Sequence, residues 1–565
     1  MSNHREINYS SSSTEHDDSI LNRGEEKVKD NNEENEDGEQ ESSVQNKVES
    51  SVQNDPEARV QNDPEARVQN DPEARVQNDP EARVQNEPKE GTGIPRYTDL
   101  SKQLEPDSSR SPSGRHNGYS FFSREYQSQR RDMLKKFLFI NIALCLFILC
   151  AFSVYWGSFY LRNRKFDHLK MLVVIEDDQV IEGIEPVFGN TLKSILQSEV
   201  GKKHGQWHIY NTTEFQKRAD KQNNSIDKEI IRVINRQEYW LSLHVRANAS
   251  YNYHNALSQG DTSYNITANT VVCDYETGRD FLNMGSYIVP QVQAIEKIWF
   301  QYQPIMTSAL SQNIEINSSL QIQVLSSPLQ FLMIDRVPWT DTVLVAPCQV
   351  GFIYMIIITF FGFSFFSEVH QKVAKSGLNK FQFLIWRYFS SIVTYIIISL
   401  FFGLVTLAFQ VDFTVNYGKP GFLVYWSIAF LTMCAVGLAN EIVAMLIISV
   451  RPPLLGFWML SWVVLNISPT FGPMALMNRF YRYGYGMPIY NSFQAAKTVF
   501  FDVYKGDLGR NFGILVAWWA LLTAVFPVVV VYFGKTMAKK AQAAAKAQAE
   551  MFAEKQKEEG TIQGR

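Results

Sequence analysis

The chain has 565 residues, 45% hydrophobic and 13% aromatic, yet its mean hydropathy is only -0.18. Apolar residues must therefore be concentrated in some stretches and absent from others. The net charge of -4 points to no particular partner, and no nucleic-acid partner is expected. The five cysteines form no CxxC or Cys/His cluster, which argues against a zinc or redox site, so neither metal nor cofactor is expected.

Residues 1–119 carry almost no apolar periodicity and read as a disordered acidic cytosolic arm, too polar to bury enough surface to offset the entropy of ordering. Within the arm VQNDPEAR occurs four times from Val52 to Arg83, followed by the degraded copy VQNEPKEG. One Pro per copy breaks any helix, and eight residues are too few for a solenoid unit, so the repeats read as a spacer. A basic juxtamembrane segment, 120–136, leads into the first of six apolar runs long enough to cross a bilayer: Phe137–Leu161, Val343–Phe366, Tyr388–Phe409, Phe422–Val450, Leu454–Met477 and Phe512–Phe533. The first begins too deep in the chain for a cleaved signal peptide and should act as an internal anchor. The fold class is thus a polytopic α-helical membrane protein of six transmembrane helices, with a mixed α/β exoplasmic domain between helices 1 and 2.

Residues 162–342 form that domain. KMLVVIE, QWHIYN and YWLSLHVRA read as strands, SIDKEIIRVINRQ as a helix with a Ser N-cap, and Met284–Asn313 as a long helix broken near Pro290 and Pro304. Of seven N-x-S/T sequons, Asn211, Asn223, Asn248, Asn265 and Asn317 fall here, which predicts a glycosylated domain outside the cytosol and both termini inside it. Lys535, Lys539 and Lys540 after the last span agree with the positive-inside rule. Only Cys273 and Cys348 fall where an oxidising compartment would reach them, so they are the candidate disulfide pair.

Residues 343–533 hold helices 2 to 6. The basic segment 478–511 falls outside by parity and is read as interfacial, with Arg479, Arg482, Lys497, Lys505 and Arg510 reaching headgroups. Its four tyrosines between Asn478 and Phe501 suit headgroup anchoring, or an outer gate or re-entrant element. Asn466, Pro469, Gly472 and Pro473 predict a broken outer end for the fifth span. Residues 534–565 are Ala-rich and read as a cytosolic helical tail.

No nucleotide-binding loop is present: GKT at Gly534–Thr536 has Val529 where the first Gly would stand. The acidic turn Glu176–Asp178 suits a strand end as well as a metal, and no catalytic constellation stands out, so an enzyme is not expected. Glu441 is the one formally charged side chain in the six runs, ten residues from Arg451 and so near mid-membrane. Three readings are open: a hydrogen bond to Asn440 or Asn466; a pair with Arg387, whose position at the span edge is better explained by snorkelling; or a polar cavity passed by substrate or proton.

RYGYGMPIYNSFQAAKTVFFD followed by LGRNFGILVAWWAL, with one span, a large exoplasmic domain and five further spans, resembles the fungal nitrosoguanidine-resistance membrane protein family. That family is similar in layout to bacterial phage-infection-type proteins and to type 2 ABC exporter permeases. The resemblance implies a plasma-membrane protein, with the endoplasmic reticulum as the second location, that exports small toxic compounds. It supplies no transport residues, so Glu441, Asn440 and Asn466 are candidates on physical grounds alone. Membrane lipids are expected partners, and an ABC-like mode would add a separate ATPase docked on the Ser367–Arg387 loop, or a second copy. The other reading is a non-transporting organiser or regulator affecting lipid distribution or stress signalling.

Overall fold

The computed structural model describes residues 121–563; the octapeptide repeats and the rest of the acidic arm lie outside the described residues. Among these are six helices long and apolar enough to cross a membrane. The first, α1 (Gln127–Gly157), starts ten residues before the apolar run because Arg130, Arg131, Lys135 and Lys136 continue the helix. Only 6% of its apolar window is buried.

The α/β domain follows. It contains β1 (Lys170–Ile175), α2 (Val187–Gln197), β2 (Gln206–Asn211), α3 (Thr212–Asp220), α4 (Ile226–Asn235), β3 (Leu241–Val245) and α5 (Ala249–Gln259). The short α6 (Ile266–Asn269), β4 (Val271–Tyr275), α7 (Val289–Leu310), α8 (Ser319–Ser326) and β5 (Phe331–Asp335) complete it. The sheet order is β2-β1-β3-β4-β5, with β1 parallel to β2 and β3, β4 antiparallel to β3, and β5 parallel to β4. Register runs Lys170↔Gln206 to Ile175↔Asn211 and Leu172↔Ser242 to Ile175↔Val245.

Strand alternation sends Met171 and Val173 to one face, into a core with α2, α5 and α7, and Leu172 and Val174 to the other, against α3 and α4. Both faces are covered, which is why KMLVVI reads as a nearly continuous apolar run, whereas LSLHV alternates, with buried Ser242 and His244 bonded to Asp274 and Glu176. Ser225 caps α4 through Lys228 N, and Ile226, Ile230, Val233 and Ile234 form its buried stripe. The break expected near Pro304 does not occur. Pro290 sits in the first turn of α7, where no N–H is needed, and buried Trp299 and Met306 on either side hold the helix through Pro304.

The membrane half contains α9 (Gly351–Phe365), α10 (Ser367–Lys375), α11 (Lys380–Ala408), the short α12 (Thr414–Tyr417), α13 (Gly421–Val450), α14 (Leu455–Ile467), α15 (Pro488–Phe500) and α16 (Leu508–Gln563). Helix α13 is the hub, with 72% of its apolar window buried against α9, α11, α15 and α16. The fifth span ends at Thr470 in a single 3-10 turn rather than reaching Met477, because Pro469 and Pro473 interrupt the ladder. The sixth span runs without a break into the Ala-rich tail.

Two expectations are corrected here. Within segment 478–511, α15 does not lie flat at an interface: every one of its residues except Gln494 is buried and Lys497 points inward beneath the α/β domain, while Arg479, Arg482, Lys505 and Arg510 to either side remain exposed. Cys273 and Cys348 are unpaired thiols in separate cores, Cys273 inside the α/β sheet and Cys348 among the spans, so they form no disulfide.

Candidate functional site

Glu441 faces inward from α13 and is 5% exposed. Arg387 on α11, 6% exposed, approaches it to 3.0 Å between Nη2 and Oε2. That contact lies off a hydrogen-bond axis, since Oε2 accepts no directed hydrogen bond, so the attraction is coulombic. The directed bond comes from Tyr395, whose hydroxyl donates to Oε1 at 2.7 Å. Arg387 Nη1 also donates to His370 Nε2 at 2.8 Å, tying in α10. Gly437, one turn before Glu441 on α13, makes room for the phenol: a Cβ there would stand 2.5 Å from Tyr395 Cζ.

This corrects two readings of Glu441. Arg387 does not snorkel; α11 begins at Lys380, so Arg387 already lies two turns inside the helix. Neither Asn440 nor Asn466 bonds Glu441. Asn440 Nδ2 donates to Ile356 O (2.9 Å) and Thr359 Oγ1 (3.1 Å), and its Oδ1 accepts from Trp458, joining α13 to α9 and α14. Asn466 Oδ1 accepts from Ile489 N at 3.4 Å, satisfying a free N–H at the start of α15. The space beside the ion pair is about 20 Å³, bounded by Thr359, Phe363, His370, Ser391 and Tyr395. It has room for about one water and none for a drug-sized molecule.

A larger cavity, about 300 Å³, lies where the α/β domain meets the ends of the spans next to it. Arg279 and Asp280 come from the domain, Gly472 from the turn after α14, Lys497 from α15, and Arg510 from the start of α16. Arg279 donates to the carbonyls of Tyr239 and Gln237 and stacks 3.7 Å above Trp240. Lys497 donates to the carbonyl of Arg279 and sits over Phe493. Burial pushes Lys497 down to about 8 and Arg279 down to about 10, and raises Asp280. Nothing local in the sequence marks this site, because the α/β domain that covers Lys497 is more than 150 residues away along the chain.

Each carboxylate of the acidic turn is bonded within the protein. Glu176 pairs with His244 at 2.5 Å, Asp177 accepts from Ser250 and Gly189 N, and Asp178 accepts from Thr212 N. Among the described residues no three His, Cys, Asp or Glu side chains converge as a metal site. Asn211, Asn223, Asn248, Asn265 and Asn317 are all exposed. GKT is helical within α16.

Residues 140–524, well over half of the chain, match the family described as "Protein of unknown function (DUF3533)". The chain belongs to that family. A relative within reach of a direct comparison is an uncharacterized endoplasmic reticulum membrane protein of Saccharomyces cerevisiae, 36% identical over 471 residues, which cover 80% of this chain and 92% of the relative. No solved structure matches. This member of the family is a membrane protein, and the family's description names no activity.

Proposed function

We propose that the protein is a permease that exports small toxic compounds, such as nitrosoguanidine, with the Arg387–Glu441–Tyr395 network as its internal gate. One observation carries this reading: an ionisable pair buried between two spans and bonded to a third element. Charges inside a membrane are expensive, and those that persist mark pathways or sensors more often than they add stability. With room for about one water beside the pair, the described conformation is the closed one. Opening would require α11 and α13 to separate at Arg387 and Glu441. Exposed Lys372, Lys375 and Lys380, around the turn between α10 and α11, are the surface a separate ATPase would use. The plasma membrane is the site of action for export, and the relative's name allows the endoplasmic reticulum as the other.

The test is accumulation of a labelled nitrosoguanidine-type compound in cells lacking the native protein, with wild type, Glu441→Gln and Arg387→Met at matched surface levels. Lower accumulation with wild type alone supports the gate. Equal accumulation in every strain removes transport and favours the second reading, a non-transporting membrane organiser, which the tight packing around Glu441 also suits.

A further inference from the structure

The junction cavity holds an excess of buried positive charge. Arg162, Arg279 and Lys497 are 2%, 8% and 4% exposed, and all three are hydrogen-bonded to neutral acceptors rather than to carboxylates. Arg162 lies directly behind the cavity wall, where a Cβ on Gly472 would stand 2.7 Å from its Cζ, and its Nη2 has no hydrogen-bond partner. Two buried carboxylates stand nearby: Asp280, which accepts from Asn283 Nδ2 at 2.7 Å, and Glu276, which accepts from Asn235. Three cations against two acids leave one positive charge uncompensated in a site largely withdrawn from water. At the mouth, half-exposed Arg510 pairs with Asp507 at 3.1 Å, so the two add no net charge although Arg510 still lines the cavity.

A buried cation without a counter-charge is unfavourable unless an anion joins it. The cavity has the space to admit one, since its volume of about 300 Å³ is some fifteen times the space beside Glu441, which has room for about one water. Its cations approach from three separate elements, the domain, α15 and the start of α16, which suits a tetrahedral oxyanion with several acceptor oxygens better than a planar carboxylate. The cavity also opens where α1, α14 and α16 reach their ends next to the α/β domain, with Tyr160, Phe480 and Tyr485 exposed around that level. Exposed aromatic rings of this kind sit in the headgroup layer, where phosphate is the abundant anion.

We propose that the junction cavity binds a phosphate group, delivered either by a lipid headgroup or by a small soluble phosphate compound, with Lys497 and Arg279 as its buried cations and Arg510 at the mouth. Binding would draw the α/β domain and α15 together through one ligand. The site stands apart from the Glu441 network and does not require transport.

The experiment measures thermal unfolding of the purified full-length protein in detergent, titrated with dihexanoyl phosphatidic acid, with inorganic phosphate, and with dihexanoyl glycerol. A saturable rise in Tm with the phosphatidic acid alone assigns the phosphate to a lipid. A rise with inorganic phosphate as well assigns it to the phosphate group whatever its source. Lys497→Met should weaken the response about 10- to 100-fold in concentration, the effect of one charge-assisted hydrogen bond, and Lys497→Arg should retain it. Should Lys497→Met fail to fold, Arg510→Gln at the exposed mouth decides, with a several-fold loss expected. No response in wild type, an equal response to the phosphate-free glycerol, or unchanged midpoints in Lys497→Met or Arg510→Gln would each overturn the proposal.

Discussion

Replacing one partner of the Arg387–Glu441 pair should destabilise the protein far more than replacing both. Each residue is about 95% buried, their charged atoms lie 3.0 Å apart, and Glu441 also accepts from Tyr395 at 2.7 Å. Glu441→Gln leaves the guanidinium buried without its counter-charge, and Arg387→Met does the same to the carboxylate. Each should lose about 3–5 kcal/mol, whereas the double substitution removes both charges and should approach wild-type stability. The assay is equilibrium unfolding of the full-length protein in mixed micelles, followed by tryptophan fluorescence and arranged as a double-mutant cycle. A coupling energy above about 2 kcal/mol is expected from these numbers. Ordinary polar contacts between membrane helices average only about 0.6 kcal/mol, so additive single losses of that size would refute the reasoning, and with it a buried ionised pair.

Gly437→Ala should push Tyr395 off Glu441, because the added Cβ falls 2.5 Å from the ring; a loss of about 1.5–3 kcal/mol, matching that of Tyr395→Phe, is expected in the same assay. Glycosidase treatment should increase gel mobility, with steps lost one by one as Asn211, Asn223, Asn248, Asn265 and Asn317 become Gln; no shift at all would place the domain in the cytosol. Burial pushes His244 down, but hydrogen bonds to Asp227 and Glu176 outweigh it and hold the imidazole above 6.5, while the bond from His244, working against burial, brings Asp227 to about 2. The His244 contribution is therefore present in full below pH 6.5 and lost as pH rises through the raised value, and that of Asp227 is present above pH 3.8 and lost as pH falls toward about 2. Tm should fall between pH 6 and 9 in wild type and less steeply in His244→Gln; parallel curves would remove His244 from the account. Electrophoresis with and without reductant should give one mobility for wild type and for Cys273→Ser, since both thiols are free.

The six spans were legible because a membrane helix needs only length and apolarity, β1 because burial on both faces writes an unbroken apolar run, and β2 and β3 because Trp207 and Ile209, and Leu241, Leu243 and Val245, alternate with polar residues. Strands β4 and β5 were not, since VVCDY and FLMID are five residues each, with a charged residue near the end of both. Glu441 stood out as a lone carboxylate, and Arg387 stood among its possible partners but was better explained as snorkelling. Arg387 lies 54 positions away on another helix, and a basic residue at the edge of an apolar run looks like a headgroup anchor. The usable signal was the stretch Lys380–Trp386, KFQFLIW, whose apolar residues extend the helix outward and leave Arg387 well within it. Helix α15 was misread for a related reason: local composition reports Lys497 as basic but not that another domain folds over it.

The contrast between α1 and α13 sets different rules for change in the two helices. With only 6% of its window covered, α1 answers mainly to the thickness and hydropathy of the bilayer, so another apolar segment of similar length could replace it with little effect on the other five. Helix α13 answers to shape. Almost three quarters of its window is enclosed, and a substitution there must suit several neighbouring helices at once, so tags, reporter residues and crosslinking labels belong on α1.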